Sequence, residues 1–133
     1  MRIVLGLLMA LNTGLFVFGA IQHVGVDIGR FHEPVIVPAA IVESVCALSL
    51  LWALWALWAL WAVFRGSPAF WRIVLSGNLI ALAGVLLGIV ALAAGRGPRT
   101  ASNDNLHVAM LTLICLSLVV LLVARSFPSF GKK

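Results

Sequence analysis

Tyrosine is absent from this chain, only four of its residues are acidic, and charged side chains make up 10% of its 133 positions. So thin a polar complement cannot cover a water-facing surface, which excludes an ordinary soluble domain. Cysteine occurs twice, at Cys46 and Cys115, with no C-x-x-C and no C-x-x-C-H. A dithiol redox centre and a covalently attached haem therefore lack their motifs. The two thiols fall about ten residues inward from the ends of their apolar stretches, at similar depth, and read as small buried hydrophobes whose mutual approach stays open. No nucleotide-binding motif and no nucleophile with a base at a recognisable spacing is present, so no enzymatic reaction is indicated.

What the chain has is apolar length. Hydrophobic residues make up 63% of it, and its mean hydropathy is +1.17. A bilayer core roughly 30 Å thick needs about 20 apolar residues at about 1.5 Å rise each. Four stretches meet that requirement, at about 3–23, 37–64, 70–95 and 105–125. The connections between them are short, so adjacent helices must run antiparallel. The expected fold is a single all-α domain over 1–133, a four-span transmembrane antiparallel helix bundle. Arg2 followed by an apolar run resembles a signal peptide, but no small-x-small cleavage site precedes Gln22-His23, so the stretch reads as a retained helix.

The net charge of +5 comes from nine Lys and Arg. Arg2, Arg65, Arg72, Arg125, Lys132 and Lys133 lie at one end of the expected bundle, and Arg30, Arg96 and Arg99 at the other. Positive loops stay inside, so both termini are expected to be cytoplasmic. Trp61, Phe64, Phe70, Trp71, Phe127 and Phe130 gather near the same inner boundary, as an interfacial belt does. The basic residues are scattered at helix ends and form no patch, which excludes a nucleic-acid partner.

Helix ends carry their own signals. Pro34 and Pro38 precede or open the second helix, and Ser67-Pro68 the third. Ser102-Asn103-Asp104 offers caps for the fourth. Gly95, Gly97 and Pro98 stop the third helix, and Pro128 closes the fourth. Along the third, Gly77, Ala81, Gly84, Gly88, Ala91 and Gly95 recur in a heptad rhythm that lets another backbone come close. Gly6, Ala10 and Gly14 of the first helix are one candidate partner for that stripe. The second helix repeats Leu-Trp-Ala four times from Leu51 to Ala62. A three-residue period spirals Trp52, Trp55, Trp58 and Trp61 over roughly half the circumference. The spiral reads as a repeat that lipid tolerates, as a stacking surface for a pigment, quinone or sterol, or as a ridge for docking onto a larger complex.

All four acids and all three histidines fall at the end opposite the basic majority. Asp27, His32 and Glu33 read as a solvated loop. Glu43 is different, because a carboxylate within the bilayer is expensive unless it is paired, protonated or facing a wet cavity. His23 closes the first helix, Arg99 lies just before the fourth, and Asp104 and His107 share a face of its first turn. These five form the candidate polar cluster. Its structural reading is a helix lock, with Glu43 paired to Arg99 or hydrogen-bonded to His107. Its chemical readings are a metal site built from His23, Glu43 and His107, a haem held by two of the histidines, or a proton relay through Glu43.

Ile21-Gln22-His23-Val24-Gly25, Val37-Pro38-Ala39-Ala40-Ile41-Val42-Glu43, and Gly95-Arg96-Gly97-Pro98-Arg99-Thr100 followed by Asn103-Asp104 and His107 together resemble an uncharacterised group of small bacterial four-helix integral membrane proteins. More loosely, Arg2 and Gly6 opening the first helix and Glu43 early in the second are similar to DoxX-like membrane proteins. That likeness implies accessory or structural work in a larger membrane complex beside respiratory or redox partners, and carries over no catalytic residue. The expected partners are thus the lipid bilayer and other membrane subunits or further copies of the chain. The alternatives are a metal-, haem- or quinone-binding membrane protein and a small proton-coupled transporter using Glu43.

Overall fold

The computed structural model describes residues 1–28, 34–64, 67–97 and 99–126. Arg30, His32, Glu33, Arg65, Pro98, Phe127, Pro128, Phe130, Lys132 and Lys133 lie outside the described residues. Five helices follow in order: α1 Arg2–His23, α2 Val37–Ala59, α3 Trp61–Phe64, α4 Pro68–Ala93 and α5 Ala101–Ser126. Four of them, α1, α2, α4 and α5, are long and apolar enough to cross a membrane.

Local chemistry sets the helix ends. Pro68 opens α4, where a missing N–H does no harm, and the amide of Ala69 donates to the Ser67 hydroxyl at 3.2 Å. The expected start of the fourth span, at about 105, is corrected by four residues. Helix α5 begins at Ala101, and Thr100 caps it by accepting from the amide of Asn103 at 3.1 Å. Asp104 stays in the first turn, near the positive end of the helix dipole. Helices α1 and α4 end alike. Gly25 (φ +87°) and Gly95 (φ +71°) take the left-handed conformation that favours glycine. The amides of Gly25 and Val26 then return to the carbonyls of Gln22 and Ile21, and those of Gly95 and Arg96 to the carbonyls of Leu92 and Ala91. Gly95 therefore belongs to a cap and not to the packing stripe.

The second span, expected unbroken to residue 64, breaks at Leu60 and resumes as α3. Past the break, Trp61 packs edge-on against Phe70 and Trp71 at 5.9 and 6.0 Å, and the Arg2 guanidinium lies over Trp58 and Trp61 at 4.7 and 5.7 Å. Aromatic contacts with α4 thus begin where the repeat leaves the regular helix. Upstream, Ala53, Ala56 and Leu57 are fully buried, whereas Trp52, Trp55 and Trp58 are about half exposed. Ala53, Ala56 and Leu57 face the bundle, and the Trp52 and Trp55 indoles lie on its outer side. Trp52 and Trp55 stack with centroids 4.9 Å apart.

Helix α2 packs on α1 and α4, and α5 packs on α1 and α4, so the four long helices close a ring in which α1 and α4 stand across from each other. This corrects the expected partner of the small-residue stripe. Gly14 of α1 has open space around it, and Ala10 is exposed. Gly6 receives the Trp58 indole of α2, whose Nε1 would lie 3.2 Å from an added Cβ. The α4 stripe meets α2 and α5 instead. A Cβ on Gly77 would fall 2.6 Å from the Ser49 carbonyl and 2.6 Å from the Ala53 Cβ, Gly84 lies beneath the Cys46 thiol, and Gly88 beneath the His107 ring. Ala81 is buried, and Ala91 half-buried.

Apolar packing forms two clusters. One joins Phe16, Leu50, Val85, Met110 and Ile114, and the other Leu5, Met9, Leu57, Val74 and Leu121. Between them lie Asn12, Asn78 and Ser117, all with 0% exposure. Ser117 and Asn78 donate to the carbonyls of Leu113 and Val74 one turn back. Both polar atoms of the Asn12 carboxamide, and Oδ1 of Asn78, meet no partner among the described residues. Each such orphaned atom costs about 1–3 kcal/mol. Nothing in the sequence rhythm singles these two asparagines out.

The two kinds of glycine separate by substitution. Gly77→Ala should lower stability by about 1–3 kcal/mol, because backbone of α2 stands where the methyl would go, whereas Gly14→Ala should be neutral or stabilising by up to about 1 kcal/mol. Thermal melts of both variants in detergent provide the check; equal effects would contradict the packing.

Candidate functional site

At the end of the bundle where α1 finishes and α2 and α5 begin, the helices open around a cavity of about 380 Å3. Its polar lining comes from His23, Glu43, Arg96, Asn103 and His107, and its apolar lining includes Phe16, Ile36, Val42, Leu87 and Met110. That volume lies at the lower end of the range of small-molecule pockets, about 300–1,000 Å3. Phe16, Val85 and Met110 line the cavity and also belong to the first apolar cluster, so its floor is hydrophobic.

Glycines make room for the polar side chains. Glu43 is 7% exposed, and its carboxylate lies against Gly19 of α1, where an added Cβ would sit 2.6 Å from Oε1 and 2.8 Å from Oε2. Oε1 is 3.8 Å from His23 Nε2, an ion pair when that imidazole is protonated. Oε2 is buried and meets no hydrogen-bond partner among the described residues. His107 sits over Gly88, where an added Cβ would lie 2.5 Å from Nε2. Its Nδ1 is 2.9 Å from the Asn103 carbonyl oxygen. A carbonyl only accepts, so Nδ1 carries the hydrogen, and the neutral ring presents Nε2 as an acceptor.

The five-residue cluster read from the sequence divides. His23, Glu43 and His107 line one cavity; Arg99 and Asp104 do not. Arg99 is exposed and Asp104 half-buried, so the Arg99 partner expected for Glu43 is replaced by His23 of α1. Among the described residues, no group of three His, Cys, Asp or Glu side chains is placed to hold a metal ion. Cys46 is buried, with its thiol 3.7 Å from the Ile80 carbonyl, whereas Cys115 faces outward on α5, so the thiols do not share an interior.

Three contributors escaped the sequence reading. Gly19 belongs to no regular stripe, although it lies one helical turn before His23 and so on the same face. Arg96 carried only a topological meaning, and Asn103 only a capping one. Comparison of the chain with protein-family models, with curated proteins and with solved structures gives no match.

Burial separates the two carboxylates of this end. Glu43→Lys should cost at least about 3 kcal/mol, since it forces an unpaired charge against α1, whereas Asp104→Lys should cost under about 1 kcal/mol, the loss of a favourable helix-dipole contact. Melting temperatures of the two purified variants check the ranking, and a reversed order would contradict the position of Glu43.

Proposed function

We propose that this chain is a multi-pass protein of a bacterial inner membrane, its helices antiparallel and both termini cytoplasmic, that binds a small lipid-soluble molecule in the cavity among its four long helices. The observation that carries this reading is Glu43: a buried carboxylate with an oxygen that meets no partner among the described residues, at the wall of a largely apolar pocket of ligand size. Such a combination, an apolar enclosure with a few convergent polar groups, is the general form of a small-molecule site. The membrane is the reservoir, and the pocket takes up a molecule with an apolar body and a polar head.

The other chemical readings have less behind them. A metal lacks a third ligand among the described residues, and a transport path through Glu43 meets the apolar cluster of Phe16, Val85, Met110 and Ile114 below the pocket. The accessory-subunit reading draws on a separate feature, the exposed stack of Trp52 and Trp55 on the outer side of α2. It is compatible with ligand binding, because the indole surface and the pocket use different parts of the molecule.

The test is extraction of lipid-soluble compounds from protein purified in mild detergent, followed by mass spectrometry, with Ala39→Trp as a pocket-filling control. Ala39 lines the cavity and is half-buried, so an indole there should occupy it. A compound enriched with the native protein and lost from Ala39→Trp is expected, and identical extracts would contradict the proposal.

A further inference from the structure

We infer that the molecule bound in this pocket carries a hydroxyl head group on an apolar body, and that the site distinguishes a hydroxyl from an equally sized group that cannot donate. The inference rests on the ligand-binding reading and adds to it the chemistry of the head. It follows from which polar atoms face the cavity and from what each can still do.

Two of those atoms matter most. His107 has its hydrogen committed, because Nδ1 stands 2.9 Å from the Asn103 carbonyl oxygen, and only an N–H can satisfy that contact. With one ring hydrogen held there, an uncharged imidazole has its lone pair on Nε2. The ring cannot exchange its two nitrogens without losing that bond, and Gly88 is what allows its Nε2 edge to approach α4, since a Cβ there would lie 2.5 Å from Nε2. The second atom is Glu43 Oε2, buried and without a partner among the described residues, on α2 and so across the ring of helices from α5. His23, on the other side of that carboxylate, lies nearer to Oε1.

A ligand that answers the uncharged ring must give a hydrogen to His107. Ketones, ethers and esters accept only and leave Nε2 unanswered. A hydroxyl donates to Nε2 or to a carboxylate oxygen, and it also accepts from Glu43 when that side chain is a carboxylic acid, so it fits the site in either protonation state of Glu43. An ammonium head would also donate, but the exposed Arg96 guanidinium at the rim opposes entry of a cation. The rest of the lining is aliphatic or aromatic, from Phe16, Ile36, Val42, Leu87 and Met110, and calls for a body without further polar groups. An alkylphenol or a comparable lipid alcohol has this shape and chemistry.

The experiment uses the full chain in detergent micelles and three probes: octylphenol, the same molecule with fluorine in place of the hydroxyl, and octylbenzene. Binding is measured by equilibrium dialysis, corrected for partition into protein-free micelles. Octylphenol should bind about tenfold tighter than the fluoro compound or more, the difference expected for hydrogen bonds formed with buried acceptors. His107→Phe should bring the two affinities together while octylbenzene still binds. Equal affinities of octylphenol and its fluoro analogue in the native protein would overturn the hydroxyl inference and leave the pocket reading standing. Failure of all three probes to bind above the micelle background would overturn both.

Discussion

A glutamate or an imidazole enters the interior of an apolar helix bundle only where the facing helix gives up its own side chain. In this protein Gly19 of α1 takes the Glu43 carboxylate, Gly84 of α4 takes the Cys46 thiol, and Gly88 of α4 takes the His107 ring. Gly77 does the same for the backbone of α2 at Ser49. The distance of α2 from both of its neighbours, and that of α5 from α4, is set at these places. In a soluble bundle the hydrophobic effect would drive helices together whatever their detailed fit. In the lipid setting proposed for this chain it would not, so close packing and buried polar contacts would have to supply the association. The glycines therefore fix the bundle and furnish the pocket by one device.

That device also explains the unequal fate of the polar residues. His23, Glu43 and His107 reach the cavity because each has a glycine opposite it or a neighbour seated on one. Arg99 and Asp104 have none, and they stay at the surface of the helix entry. The pocket that results is shallow in polarity. A carboxylate and two imidazoles from α2, α1 and α5 line it together with an arginine, and its floor carries only apolar side chains. Such a site can orient the head of a lipid-soluble molecule and bury its body, and it has no assembled nucleophile or metal set among the described residues.

Much of the fold was legible in the sequence because bilayer thickness is a severe filter on length and composition. The four long helices, the Ser67-Pro68 start of α4 and the glycine stop at Gly95 all follow from local rules. Pairing between helices was not legible. A heptad of small residues says that something comes close, without saying what, and the stripe of α4 was matched to α1 by rhythm when it serves α2 and α5. The break at Leu60 was hidden for a similar reason, since the Leu-Trp-Ala repeat is uniform whereas its environment changes at Trp61, where α4 supplies Phe70 and Trp71. At the site, Glu43 announced itself by its cost in the membrane, and His23 and His107 by their rarity. Gly19, Asn12 and Asn78 did not, because one glycine or asparagine in an apolar helix has no periodic signature, and its meaning lies in what the neighbouring helix places beside it.

The claim that glycines here are seats for polar side chains is tested most directly by a double-mutant cycle between Gly19 and Glu43, read as thermal stability in detergent. Gly19→Ala should be strongly destabilising in the native background, because the methyl takes the space of the carboxylate. In the Glu43→Ala background the same change should cost little. A coupling of about 1–3 kcal/mol between the two positions is the expected result. An equal cost of Gly19→Ala in both backgrounds would contradict the account, since Gly19 would then be small for a reason unrelated to Glu43.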